Sequence, residues 1–388
     1  METDYRDRLA RIHAAGRYRE LRRIDGPIDR WVTVDGRRAL LLCSNNYLGL
    51  ANHPALIEAA VQAAREWGVG SGASRLISGS LAPHVELEAR LARMKGTDAA
   101  LIFPSGYHAN IGAVTALVGS GDAVFSDQLN HASLIDGCRL SGAEIHVYPH
   151  GNLEALREML RATPARRRLI VTDSVFSMDG DHAPLRGIFD LAAEHEAEVL
   201  VDEAHATGVF GASGSGLMEH LGLNEIPAVH VGTFGKALGC AGAFVAARDD
   251  VIRLLVNCAR SFIYTTALPP PIVAAAGAAL DLVAREPERR ATLHRLSHTL
   301  RRRLLALGFE IPAGEGPIIP VIAGEAERAL AWSAALLERS VFVQAIRPPT
   351  VPPGTSRLRV TLMATHTDDD LELAVEAFSG LRRDPAST

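Results

Sequence analysis

The sequence predicts an α/β protein with a large, mainly parallel sheet and a small α+β domain at its carboxyl end. Short apolar runs typical of buried strands lie near residues 99, 122, 144, 168, 198, 228 and 241, and helical stretches alternate with them. Such alternation is typical of parallel strands joined by crossover helices. Beyond residue 286, long helices surround a few short strands instead. The 388-residue chain is long enough for two or three domains.

Residues 1–40 are predicted to form an N-terminal arm with a charged helix and a hairpin. Asp35-Gly36 lies between the apolar runs Trp31–Val34 and Ala39–Leu42, and this pair is a strong signal for a two-residue turn. Residues 41–285 are expected to form the large domain and 286–388 the small one. The small domain is expected to contain an arginine-rich helix, a strand at Pro317–Ile322, a helix near 325–338, short strands around Val343 and Leu358, and a final helix from about Asp368.

Composition and charge exclude several classes of function. The net charge of −5 provides no general basic field for nucleic acid. The four cysteines have neither the density of a disulfide scaffold nor the spacing of a metal site, so we expect no metal and a reducing cytoplasm. The N-terminus lacks the apolar core of a signal peptide, and the apolar stretch Ile272–Ala284 is too short to span a bilayer. We therefore expect no membrane segment.

Two strand ends carry side chains suited to covalent chemistry. One apolar run leads through glycines to Lys236, and another ends at Asp202, with His205 three residues later. Ligands of open α/β sheets bind beyond the carboxyl ends of the strands. Pyridoxal 5'-phosphate (PLP) needs a lysine for covalent attachment and a carboxylate beside its protonated pyridine nitrogen. Lys236 and Asp202 together therefore predict a PLP site, although each residue alone is more often a solvated lysine or a helix cap.

A strand, a Ser-Gly turn and a helix follow one another from Ala99 to about Val118. Free N–H groups at the start of a helix bind anions, and the helix dipole adds to this attraction. Gly106 and Tyr107 are therefore candidate ligands of the cofactor phosphate, together with the hydroxyl group of Thr233. A serine N-cap without any ligand has the same pattern, so this segment only supports the prediction.

Six motifs follow one another along the chain, namely Ser44–Leu50, Gly70–Arg75, Leu129–Ser133, Ser174–Asp181, Asp202–His205 and Thr233–Lys236. They occur in the order found in the α-oxoamine synthases, which the chain resembles from about residue 20 to 380. Members of this family use PLP to join an amino acid to an acyl thioester with loss of CO2. The resemblance implies the fold-type I PLP-dependent transferase fold, which is that of aspartate aminotransferase. Asn46 and Ala206 replace the Asp and Gly that are usual in the family.

The resemblance implies a catalytic role for four residues. Lys236 would carry PLP covalently and, once freed, remove the Cα proton of the amino acid. Asp202 would contact the pyridine nitrogen, His205 the phenolic oxygen, and His131 would stack on the ring.

The resemblance also implies contacts with the cofactor and with the amino acid. Ser177 would contact the cofactor, whereas Thr265 and Thr266 would reach the phosphate of the partner subunit, so that a homodimer shares its active sites. Arg359 would bind the carboxylate of the amino acid with Asn45 close by, although a surface arginine on a strand would show the same alternation.

The segment Ala345–Thr361 resembles the branch of the family that condenses L-alanine with a pimeloyl thioester in biotin biosynthesis. The thioester would be carried by CoA or by acyl carrier protein. Arg22 and Arg23 match an arginine-rich stretch of the family and are candidates for binding the distal carboxylate, but a solvated helix end explains either one equally well. A glycine or serine C-acyltransferase of the lipid or secondary-metabolite type is the alternative enzyme. An inactive partner subunit is disfavoured by Lys236.

The glycines at residues 68–73 raise a different possibility. They satisfy the pattern G-x-G-x-x-A of dinucleotide-binding proteins, which would indicate an NAD-dependent dehydrogenase. That pattern must follow a strand, whereas the preceding stretch, Pro54–Trp67, has helical periodicity. The dehydrogenase interpretation is therefore rejected.

Overall fold

The structure is a computed structural model that describes residues 4–383. Its strands are β1 Ile24–Asp25, β2 Trp31–Val34, β3 Arg37–Leu41, β4 Ala99–Phe103, β5 Ala123–Asp127, β6 Glu144–Tyr148, β7 Arg168–Asp173, β8 Glu198–Asp202, β9 Val229–Thr233, β10 Ala243–Ala247, β11 Ile318–Gly324, β12 Val341–Phe342, β13 Gln344–Ile346 and β14 Ser356–Thr361. Its helices are α1 Tyr5–Ala14, α2 Pro54–Trp67, α3 Ala82–Lys95, α4 Gly106–Leu117, α5 Ala132–Ser141, α6 Leu153–Ala162, α7 Leu185–Glu194, α8 Leu217–His220, α9 Asp249–Cys258, α10 Arg260–Ile263, α11 Pro270–Arg285, α12 Pro287–Ala306, α13 Ala326–Glu338 and α14 Asp368–Arg383.

Seven strands form the central sheet in the order β4-β10-β9-β8-β7-β5-β6. The five strands from β9 to β6 are mutually parallel, and β10 is antiparallel to both of its neighbours. Both faces of the sheet are buried: Val199 and Val201 belong to one core cluster, and Leu200 between them belongs to the other. The predicted mainly parallel sheet is confirmed, and burial on both faces explains its continuous apolar strands.

The N-terminal hairpin has the predicted turn. Asp35 and Gly36 both have positive φ angles, 48° and 81°, as a type I′ turn requires. The hairpin does not form a separate unit, because β3 pairs in parallel with β12 near the other end of the chain. The arm thus contributes three of the four strands in the sheet β1-β2-β3-β12.

The C-terminal part is built on an antiparallel sheet in the order β11-β14-β13, with α12 and α13 packed against it and α14 packed against these two helices. Its central strand, β14, carries Arg357 and Arg359 two residues apart, so both side chains lie on one face of the strand. Among the described helices, none combines the length and the apolar character needed to cross a membrane.

The carboxyl ends of the parallel strands meet at one edge of the central sheet. Asp173 at the end of β7 lies opposite Asp202 at the end of β8, and Asp202 lies opposite Val231 in β9. Lys236 follows three residues after β9 ends. Sheet register alone therefore brings two carboxylates and one amine to the same edge.

Candidate active site

Lys236 is partly buried and lies beside a histidine. Its Nζ is 2.8 Å from Nε2 of His205. Burial lowers the pKa of Lys236 to about 8, assisted by the positive charge of Arg359 and opposed by Asp202 and Asp173. The amine therefore loses its proton far more readily than an ordinary lysine, and covalent chemistry at nitrogen requires the deprotonated form.

His205 is buried between two functional groups. Its Nδ1 is 2.7 Å from the hydroxyl group of Tyr47, and its Nε2 contacts Lys236. Burial, followed by the charges of Lys236 and Arg359, holds the pKa of His205 well below its usual value. A neutral imidazole donates from one nitrogen and accepts at the other, so His205 connects Tyr47 and Lys236 through hydrogen bonds.

Asp202 and Asp173 lie side by side but differ in their partners. The carboxylate of Asp202 accepts hydrogen bonds from Nδ2 of Asn110 at 2.6 Å and from the backbone N–H of Ala204 at 2.8 Å. Asp173 accepts from the backbone N–H of His131 at 2.6 Å. Burial, and then the negative charge of Asp202, raise the pKa of Asp173 well above its usual value. Burial and the neighbouring charge therefore favour the protonated form of Asp173 more than in an ordinary aspartate.

The contact between Asp173 and His131 positions the start of α5. His131 caps this helix, and its Nδ1 lies 2.7 Å from the hydroxyl group of Ser133. The ring itself is exposed. Its face is therefore available for stacking against a planar ligand.

The predicted phosphate site lies at the start of α4. Ser105 caps the helix by accepting from the backbone N–H of His108. The backbone N–H groups of Gly106 and Tyr107 have no hydrogen-bond partner within residues 4–383, which leaves two donors for an anion. The hydroxyl group of Thr233 donates to the carbonyl of Gly242 at 3.0 Å, and it would have to exchange this bond to reach a phosphate.

Arg359 is a buried cation that forms no ion pair with any carboxylate among residues 4–383. Its guanidinium donates to Oδ1 of Asn45 at 3.0 Å, to the hydroxyl group of Tyr47 at 3.3 Å and to the carbonyl of Ser177. No ion pair involves Arg359 in the part of the chain that the structure describes. A guanidinium surrounded only by neutral acceptors is suited to bind the carboxylate of a small ligand.

Four predicted residues form no hydrogen bond or ion pair with the other candidate residues within the described chain. Thr265 and Thr266 lie in the loop after α10, and Thr266 is exposed. Arg22 and Arg23 form ion pairs with Asp35 and Asp25, at 2.9 and 2.8 Å. Both arginines follow α1 in an extended segment and do not lie at a helix end.

The sequence prediction missed three residues of the site. Tyr47 contacts His205 and Arg359, Asn110 orients Asp202, and Asp173 orients His131. A signal for Asp173 was present, since it is an acid at the end of an apolar strand, as Asp202 is. Tyr47 lies within the motif Ser44–Leu50, but a motif match does not show which of its side chains face the active site.

A charged histidine, His150, stabilises the loop at residues 177–181, which contacts Arg359 through the carbonyl of Ser177. His150 Nδ1 is 2.9 Å from Asp127, and its Nε2 is 2.7 Å from Asp181. These two carboxylates raise the pKa of His150 to about 10. The histidine is therefore protonated at neutral pH and ties the loop at residues 177–181 to the end of β5.

We expect the stability that His150 provides to depend on pH. A raised pKa stabilises the folded state fully below the unfolded value of about 6.5, and this stabilisation is lost as pH rises through about 10. His150→Gln should lower the thermal midpoint at pH 6, and the difference should shrink towards pH 10. His298→Gln, at an exposed histidine, is the control. A difference that is constant with pH would contradict the assignment of charge.

These residues fit the predicted cofactor by the chemistry of their donor sets. Lys236 offers an amine, Asp202 a carboxylate, and the start of α4 offers free N–H donors for a phosphate. The buried charge of Arg359 offers a place for the carboxylate of an amino acid next to them. The arrangement therefore accommodates PLP and an amino acid together.

Comparison with known sequences gives long, close matches. A family model described as aminotransferase class I and II matches residues 37–378. The 8-amino-7-oxononanoate synthase of Geobacter metallireducens is 52% identical over 385 residues, which cover 98% of each chain. The enzyme of that name from Anaeromyxobacter dehalogenans is 55% identical over 361 residues, covering 92% of this chain and 90% of the relative.

Solved structures agree on the fold. The serine palmitoyltransferase of Sphingomonas wittichii has a TM-score of 0.92 at 33% identity, covering 98% of this chain and 96% of its own. A structure described as SPT with PLP has a TM-score of 0.93 at 31% identity, with 99% and 98% covered. The 8-amino-7-oxononanoate synthase of Francisella tularensis has a TM-score of 0.77 at 27% identity, with 89% and 98% covered. The fold alone therefore does not select between acyl substrates.

Proposed function

Because the chain belongs to the aminotransferase class I and II family and, within it, to the 8-amino-7-oxononanoate synthases, we propose that it joins L-alanine to a pimeloyl thioester. The products would be 8-amino-7-oxononanoate, CO2 and the free thiol. The observation that carries this proposal is the buried Arg359, which has no ion-pair partner among the described residues, near the contact between Lys236 and His205. It supports a carboxylate site close to the reactive amine.

PLP is the cofactor, and when bound it supplies an electron sink for negative charge at the α-carbon of the amino acid. Lys236 would hold it covalently, Asp202 would face its ring nitrogen, and the exposed ring of His131 would stack on it. Gly106, Tyr107 and Thr233 would bind its phosphate. Ser177, whose carbonyl accepts from Arg359, would contact the cofactor from the wall of the site.

Proton transfer is assigned to Lys236. With a pKa of about 8, its Nζ can accept the Cα proton and later return it. His205 lies next to the transferred proton, because its Nε2 is 2.8 Å from Nζ of Lys236. Its neutral form prevents a second positive charge from building up beside the protonated amine.

Arg359→Ala should raise the KM for alanine by roughly 10- to 100-fold, because it removes charge-assisted hydrogen bonds to the α-carboxylate. Arg359→Lys should recover little, since an ammonium group cannot reproduce two parallel hydrogen bonds. Steady-state kinetics with each substrate varied in turn tests this. The KM for the acyl donor is the internal control and should change far less. An unchanged KM for alanine would remove Arg359 from substrate binding.

A cavity of about 670 Å³ beside the site provides room for the acyl donor. It adjoins Asn130, which precedes His131, and Met178, which follows Ser177. The loop Pro348–Pro353 forms much of its wall, and proline rings present apolar surface without N–H donors. Such a lining suits the methylene chain of a thioester.

The function is tested by product analysis. Purified protein with PLP should be incubated with alanine, glycine or serine and with pimeloyl or octanoyl thioesters, each carried by CoA or by acyl carrier protein. The mass of 8-amino-7-oxononanoate from alanine and a pimeloyl donor is the expected product. A preference for octanoyl thioester or for serine would instead favour a lipid or secondary-metabolite synthase. The same panel identifies the thioester carrier.

Arg22 and Arg23 remain candidates for the distal carboxylate of the acyl chain. Their ion pairs with Asp35 and Asp25 give them an alternative role, which is to stabilise the surface of the N-terminal arm. If either arginine binds the distal carboxylate, its replacement by Ala should weaken the use of pimeloyl thioester and leave the use of octanoyl thioester unchanged. Equal losses with both donors would remove the arm from substrate selection.

We further propose that the enzyme is a cytoplasmic homodimer whose subunits share their active sites through Thr265 and Thr266. Three exposed apolar side chains, Val69, Ile77 and Tyr264, support a dimer interface, with exposures of 82%, 80% and 72%. The backbone N–H of Ala267 donates to the carbonyl of Ala73, and this hydrogen bond joins the segment of Val69 and Ile77 to the segment of Tyr264. Exposed apolar side chains on neighbouring segments are typical of protein–protein interfaces.

Mixing two inactive variants tests the shared sites. In a heterodimer of Lys236→Ala with Thr265→Ala/Thr266→Ala, one site would contain the intact lysine and the intact threonines. We therefore expect activity to return when the two variants are unfolded and refolded together. Each variant refolded alone is the control. Failure to complement, or an active monomer in sedimentation, would contradict the proposal.

A further inference from the structure

Behind the strand end that carries Asp202 lies a fully buried ion pair. Lys95, the last residue of α3, and Glu203, which follows Asp202, have side chains that are 0% and 1% exposed. Their Nζ and Oε2 atoms are 2.7 Å apart. His230 in β9 approaches the same oxygen at 3.3 Å. These three residues lie outside the set proposed to contact PLP or the substrates.

The choice of lysine at position 95 is unusual for this chain. The sequence has thirty-eight arginines but only two lysines, Lys95 and Lys236. An ammonium group has three donors, and Lys95 uses them on Glu203, on the hydroxyl group of Thr207 at 3.1 Å and on the carbonyl of Ser215. A planar guanidinium does not match three acceptors arranged around one nitrogen. The pocket is therefore built for lysine.

These contacts hold both ends of the turn that carries His205. The carbonyl of Glu203 accepts from the backbone N–H groups of Ala206 and Thr207, at 2.9 and 2.8 Å. Lys95 therefore contacts the first and the last residue of the turn at 203–207. His205 lies at the middle of this turn, where its ring meets Lys236.

Glu203 also connects the turn to the strand that leads to Lys236. Its backbone N–H donates to the carbonyl of Val231 in β9 at 2.7 Å, and its Oε1 accepts from the N–H of Met218 at 3.1 Å. The fit is tight, since a Cβ atom at Gly216 would lie 2.4 Å from Oε1. Burial raises the pKa of Glu203, but Lys95 and His230 outweigh it and bring the pKa to about 2. The carboxylate therefore stays charged.

We propose that Lys95 and Glu203 are positioning residues of the active site, whose ion pair keeps His205 in contact with Lys236. Stability alone does not account for the pair, because buried ion pairs are often no more stabilising than apolar residues of similar size. The kinetic part of this proposal rests on the proposed function. Its spectroscopic part requires only that PLP is bound.

Variants that lack one charge or both distinguish a positioning role of the ion pair from a contribution to stability. Lys95→Met should lower the thermal midpoint strongly, because it leaves a buried carboxylate unpaired. In Lys95→Met/Glu203→Gln both charges are gone, while Gln can still accept from Met218, so the thermal midpoint should recover. We expect kcat of this double variant to stay at least about tenfold below wild type, because small displacements of catalytic groups are costly. The pH midpoint at which the absorption band of bound PLP titrates should also differ between this double variant and the wild type.

Arg90→Met/Asp281→Asn, which removes a partly exposed ion pair between the helix of Lys95 and α11, is the matched control and should leave the absorption band unchanged. Wild-type kcat and a wild-type pH titration in the refolded double variant would overturn the proposal. If the double variant does not fold, Thr207→Val removes a single contact of Lys95 and is judged by the same two measurements. A wild-type enzyme that binds PLP but forms no product would refute the proposed function and still permit the titration test.

Discussion

Lys236→Ala should fold, bind PLP reversibly and lose activity by about 10³-fold or more, because the variant lacks both the covalent anchor and the base for the Cα proton. Wild-type protein should be yellow as purified. Borohydride reduction should fix PLP to the peptide that contains Lys236, as identified by mass spectrometry.

The scarcity of lysine makes this labelling experiment decisive. The only other lysine in the chain, Lys95, is fully buried in its contact with Glu203. A label on any peptide other than the one with Lys236 would refute the assignment. The circular dichroism spectrum of Lys236→Ala is the control for folding, and retention of reversible PLP binding shows that the remaining contacts are intact.

The second large effect is expected at Asp202. Asp202→Asn removes the negative charge beside the ring nitrogen and should lower kcat by about 10²-fold or more, while cofactor binding weakens less. Single-turnover kinetics and equilibrium titration with PLP measure the two effects separately. Near-normal turnover would mean that another residue faces the ring nitrogen.

Asp173→Asn is the matched control, because Asp173 occupies the same register position on the neighbouring strand. Burial and the charge of Asp202 raise its pKa and so favour its protonated form, which asparagine imitates in size and charge. The acceptor for the N–H of His131 is retained. We therefore expect little change in kcat, and a loss as large as that of Asp202→Asn would show that both carboxyl groups are charged.

Patterns along the chain predict the fold well because the central sheet is buried on both faces. Most of its strands are short, buried runs rich in apolar residues, so their positions are visible in the sequence, whereas the edge strand β6 is largely exposed and alternates polar with apolar residues. The family and the cofactor are confirmed by the comparisons. The pairing of β3 with β12 could not be predicted, because two-residue strands leave no periodic signal and their partners are distant in sequence.

Within the site, residues at strand ends were predictable, and those that support them were not. Lys236 and Asp202 follow apolar strands and have unusual chemistry for their positions. Asn110 lies inside a helix, and only the packing of α4 against the sheet shows that its amide reaches Asp202. Lys95 and Glu203 resemble ordinary surface charges in the sequence, because burial of a charged pair depends on tertiary contacts.

The pairing of β3 with β12 has a consequence for how the chain folds during synthesis. Leu40 is synthesised long before its partner Val341, and all seven strands of the central sheet are synthesised between them. The N-terminal hairpin therefore exposes an unpaired strand edge while the central sheet is being made. Closing so long a loop is entropically costly, so this pairing should form late. Chains truncated before β12 would retain that open edge and should aggregate.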